Sequence, residues 1–94
     1  MDLKPATREA LNYWIVPSWD SDIEHHEDRR RFYLFVDRYQ RDHGFSIDEV
    51  GLKDEIRRTA EAKGLPFGDY QEEVAREHVS KAYGILEFLQ ATNR

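Results

Sequence analysis

The sequence predicts an all-α fold. It should be a small bundle of three main helices, over about 22–43, 52–63 and 70–91, with a short N-terminal helix over about 4–15 and a helical turn at 47–50. Three observations carry that expectation. Apolar residues recur at three- and four-residue spacing, most regularly at Ala75, Val79, Ala82, Leu86 and Leu89. Helix-ending residues (Pro17, Gly44, Gly64, Pro66) punctuate the chain at helix-length intervals. Side chains able to cap a helix stand before the periodic stretches: Ser21 or Asp22, Ser46, and Asp69.

Taken in order, Pro5 suits the first turn of a helix, where its missing N–H costs nothing. Thr7, Leu11, Trp14 and Ile15 then share one face before Pro17 stops the helix. Residues 16–20 form a turn that carries Trp19. The second helix is the expected centre of the fold. Asp22, Glu24, Glu27 and Asp28 crowd its first turns, where the helix dipole is positive. Glu27–Arg31 and Asp37–Arg41 form acid-first i,i+4 pairs, and Gly44 closes the last turn. At about 100° per residue, Phe32, Phe35, Val36 and Tyr39 lie on one face with His25 and His43, while Ile23 and Leu34 lie nearly opposite. The continuous apolar run within 31–36 also reads as a strand, but its charged flanks and the lack of a partner strand favour helix.

Ser46 and Glu49 have the spacing of a capping box, with Phe45 and Val50 at the staple positions. Ile47 and Val50 point away from Leu52, Ile56 and Ala60, which predicts a bend at Gly51. Gly64 and Pro66 end that helix, and Leu65 and Phe67 are expected to tuck under the bundle. Asp69 and Glu72 have the spacing of a second box. Gly84 falls outside the apolar stripe of the last helix.

The chain has 94 residues, which is one domain over 1–94 with a modest core. Its net charge of −5 is spread evenly and supplies no general basic footprint for nucleic acid. With no cysteine, disulfides and thiolate metal sites are excluded. No apolar run approaches the roughly 20 residues of a membrane span, and the N-terminus lacks a signal-peptide apolar region, so a cytoplasmic location is expected.

His25-His26-Glu27-Asp28 has the composition of a metal site, but only two of its ligands converge at helical spacing. His43 lies roughly 27 Å from His25 along a straight helix and cannot share an ion with it. No metal or other cofactor is expected. His78, beside the apolar stripe, is expected to pack with one ring nitrogen satisfied. Nucleophile-elbow, phosphate-loop and dinucleotide motifs are absent, and no catalytic residue is assigned. Residues 57–74 have a helix-turn-helix flavour, but the would-be recognition helix leads with Asp69, Glu72, Glu73 and Glu77, which would repel phosphate.

The expected function is therefore non-enzymatic contact with another protein, or self-association, of a regulatory, adaptor or inhibitor type. Trp14, Trp19, Leu34, Tyr70 and Phe88 are the candidate contact residues, the tryptophans alternatively packing inside. The alternative is a nucleic-acid interface at Arg29, Arg30, Arg31 and Arg38, although these point in different directions around their helix.

Overall fold

In a computed structural model, which describes residues 2–21 and 25–93, four helices follow one another: α1 (Pro5–Trp14), α2 (His26–His43), α3 (Glu49–Ala62) and α4 (Asp69–Thr92). No strand occurs among the described residues, so the run at 31–36 is helical. α1 and α2 form an antiparallel hairpin, as do α3 and α4. The hairpins close on each other along α2–α4 and, more thinly, along α1–α3. The radius of gyration, 12.4 Å, is that of a compact globule of this length.

α1 buries Thr7, Ala10, Leu11 and Trp14. The Thr7 hydroxyl holds the hairpin together, donating to Asp42 Oδ2 at 2.7 Å and lying 3.2 Å from the Arg38 carbonyl. α2 buries the face expected of it: Phe32, Phe35, Val36 and Tyr39. Trp14 stacks on Phe35 with ring centroids 5.7 Å apart and touches Phe32 at 5.0 Å. The other hairpin contributes Leu52, Ile56 and Ala60 from α3 and Ala75, Val79, Ala82 and Leu86 from α4. Leu65 and Phe67 pack against this core from the loop between them.

Several helix ends differ from the sequence reading. α2 begins at His26, not near residue 22, and its N-cap, His25, supplies no side-chain cap. Ser21 is engaged elsewhere: its Oγ donates to the Ser18 carbonyl at 2.6 Å and closes the turn that carries Trp19. The expected cap at Asp22 and the placement of Ile23 lie outside the described residues. α3 runs unbroken through Gly51, so there is neither a separate turn at 47–50 nor a bend. The apparent change of direction came from Val50, which is 76% exposed and marks no second buried face. The cap of α3 is Asp48, whose Oδ1 accepts from Gly51 N at 3.0 Å, not Ser46. α4 is capped one residue earlier than the Asp69–Glu72 spacing implied: Gly68 N donates to Gln71 Oε1 at 2.9 Å. Glu72 instead pairs with Lys53 at 3.2 Å.

The end of α3 follows the sequence closely. Gly64 takes φ 73°. Leu65 N then donates to the Ala60 carbonyl at 2.9 Å and Gly64 N to that of Glu61 at 3.0 Å, the paired bonds of a Schellman closure.

Candidate interaction surface

Helices α2 and α4 meet at two levels. At the first, the turn after α1 folds Trp19 inward to 2% exposure. Trp14 and Trp19 meet edge to face at 5.9 Å, and His78 of α4 lies against Trp14, Trp19 and Phe32 at 5.2, 6.3 and 5.4 Å. The contact role proposed for Trp14 and Trp19 is thereby corrected. Trp14 is 1% exposed, and neither indole reaches the surface of the closed fold, because α2, α4 and Phe67 cover them.

His78 is packed as its position beside the stripe suggested. Its Nδ1–H donates to the Val74 carbonyl at 2.7 Å. Its Nε2 is buried with no hydrogen-bond partner. Burial holds its pKa below the usual histidine value, and the Val74 bond, Glu77 and Asp28 only partly oppose that.

At the second level, α2 and α4 leave a groove of about 340 Å³ lined by Arg29, Phe32, Tyr33, Lys81, Gly84, Ile85 and Phe88. Tyr33 and Phe88 flank it, 52% and 66% exposed. Gly84 leaves its edge open: a Cβ built there would meet nothing within 4 Å. Arg29 and Lys81 add two cations to the groove's lining. The groove is therefore amphipathic, lined by aromatic rings, a glycine and two basic side chains. Such a surface suits a partner that brings an apolar side chain with an acid beside it.

The remaining candidates scatter. Leu34, 36% exposed, lies over α1 beside Ala10, Tyr13 and Arg38. Tyr70 is exposed, and its hydroxyl donates to the Asp20 carbonyl at 3.2 Å. The arginines do not form one surface. Arg29 lines the groove, Arg30 pairs with Glu27 at 3.5 Å, and Arg31 lies 5.0 Å over the Tyr13 ring. Arg38 lies near Leu34, on the α1 side.

A second exposed apolar site escaped sequence reading. Val50 of α3 and Tyr83 of α4 line a cleft of about 420 Å³. The signal was their shared position off the buried faces of antiparallel helices. The Tyr83 hydroxyl bonds to Glu87, which raises its pKa. Among the described residues, no group of three or more His, Asp or Glu side chains is placed to hold a metal ion, and no helix is long and apolar enough to cross a membrane. Comparison with protein-family models, with curated proteins and with solved structures finds no match to this chain.

Proposed function

We propose that this chain is a non-enzymatic cytoplasmic protein of regulatory or adaptor type, acting by contact with another protein through the groove between α2 and α4. One observation carries the reading: Tyr33 and Phe88, both exposed, line one groove with an open glycine, Gly84. Burying a phenylalanine side chain is worth about 1.5–3 kcal/mol, so leaving Phe88 in water forgoes a gain that a partner could collect. Of the buried polar groups, His78, Asp28 and Glu55 support the fold more readily than a reaction. Glu55 is 3% exposed and held by Arg8 at 3.0 Å, and Asp28 faces the packed corner.

The reading is tested by placing a photo-crosslinking phenylalanine analogue at position 88 and, as control, at Arg58, which is exposed on α3 and does not line the groove. In cells, adducts at position 88 that do not appear at position 58 are expected. Identical patterns at the two positions, or none at 88, would overturn it.

A further inference from the structure

We propose that the occupant of the groove is a second copy of this chain, joined in a two-fold dimer of antiparallel α4 helices centred on Gly84. The proposal deepens the contact reading above and rests on it.

The argument begins with symmetry. In an antiparallel pair with its axis at Gly84, residues equally far before and after that position lie at the same level on the two helices. Lys81, three before, meets the level of Glu87, three after. Ser80, four before, meets the level of Phe88, four after. All four residues are exposed. α4 continues to Thr92, eight residues beyond Gly84, and extends at least as far in the other direction, so both halves of the contact have helix to stand on.

Helical rotation then assigns the flanks. Taking Gly84 as the centre of the face, Lys81 and Phe88 lie on the same side, the side of α2, and Ser80 and Glu87 lie on the other. The two-fold axis keeps each flank on its own side. Phe88 of one copy therefore falls beside Lys81 of the other, at the groove that Arg29 and Tyr33 also line. Glu87 lies level with Lys81 of the second copy, across the open space at Gly84, where long side chains can bridge.

The surface thus holds both a knob, Phe88 with Glu87, and the hole that accepts it. Each appears twice in the dimer, as a self-complementary two-fold contact requires. Lys81 also has contacts within its own chain, and Glu87 accepts from Tyr83. An ammonium has three donors and a carboxylate several acceptor sites, so both can serve a second copy as well.

Sedimentation velocity of the full chain, from micromolar to millimolar concentration, tests this directly. The parent protein should pass from monomer to dimer as concentration rises. Phe88→Asp should raise the dissociation constant at least ~10-fold. Lys81→Glu and Glu87→Lys should each be monomeric, because each sets like charges against one another at both reciprocal contacts. Mixing these two variants should restore a dimer, since every facing pair is then opposite in charge. Mere damage to the fold cannot be repaired by mixing, so that arm separates register from stability.

A parent chain that is monomeric throughout overturns the proposal, as does a dimer indifferent to all three substitutions. A dimer lost in the single variants and not recovered on mixing overturns it too. A monomeric parent that still gives adducts from position 88 would remove only self-pairing and leave the contact reading standing.

Discussion

The two levels at which α2 meets α4 use similar residues and finish with opposite characters. The lower level combines Phe32 with Trp14, Trp19 and His78, and every ring is buried. The upper level combines Tyr33 with Phe88, and both rings stand in water. Helix periodicity separates Phe32 from Tyr33, which lie about 100° apart on α2, but it does not say what covers each level. The difference lies in the third element. At the lower level α1 and the turn bearing Trp19 close over the joint, with Asp20 hydrogen-bonded by Tyr70 and Gln71 at the start of α4. At the upper level, among the described residues, a Cβ at Gly84 would meet nothing within 4 Å, and the glycine itself offers no side chain to fill the gap. Burial here is decided by what the connectors cover.

The contrast can be broken most forcefully at the closed level. Trp14→Ala should lower unfolding stability by about 3–5 kcal/mol, the cost of a cavity left by a large core aromatic, read from urea midpoints by circular dichroism. A loss below about 1 kcal/mol would mean that the corner is not the packed centre.

The next test titrates the same corner. Burial lowers the pKa of His78 in the folded chain, so the unfolded chain takes up the proton first as pH falls. The stability this histidine supports is complete above the ordinary histidine pKa and declines as pH drops below it toward the folded value. The slope can reach at most about 1.4 kcal/mol per pH unit for one proton. His78→Gln should flatten the decline between neutral and mildly acidic pH, and an unchanged slope would assign it to other groups.

On the open level the expected effects shrink or reverse. Gly84→Ala, in mid-helix and with free space around the new methyl group, should stabilise the dilute monomer by about 1 kcal/mol. Phe88→Ser should change the dilute monomer by no more than about 0.5 kcal/mol, as for an exposed substitution away from special features. A loss comparable to that of Trp14→Ala would show that the groove is closed in solution and erase the distinction.

How much of this was legible in the sequence follows the same division. The buried face of α2, the stripe of α4, the closure at Gly64 and the packing of His78 were all readable, because each is set by periodicity or by a residue with one strong conformational preference. The starts of α2, α3 and α4 were not. Near α3, Ser46 and Asp48 offer competing cap oxygens two residues apart, and local sequence does not choose between them. Ser21 looked like a cap but closes a turn, a choice made by the burial of Trp19. Val50 suggested a bend because apolar residues are expected inside, although a lone exposed valine on a small bundle is ordinary. The candidate surface was half visible. Phe88, Leu34 and Tyr70 are exposed as their wheel positions suggested, but only the fold could bring Tyr33 and Phe88 to one groove.

The chain has two tryptophans, and both stand at the closed corner, 5.9 Å apart. Its ultraviolet emission therefore comes from one place. The His78 ring lies 5.2 Å from Trp14, close enough for an imidazolium to quench indole fluorescence when the histidine is protonated. Emission intensity would then follow the protonation of a single buried group, with no dye or label. The groove beyond Gly84 contains no tryptophan, so a partner settling there would leave the spectrum almost unchanged unless it disturbed the corner behind it.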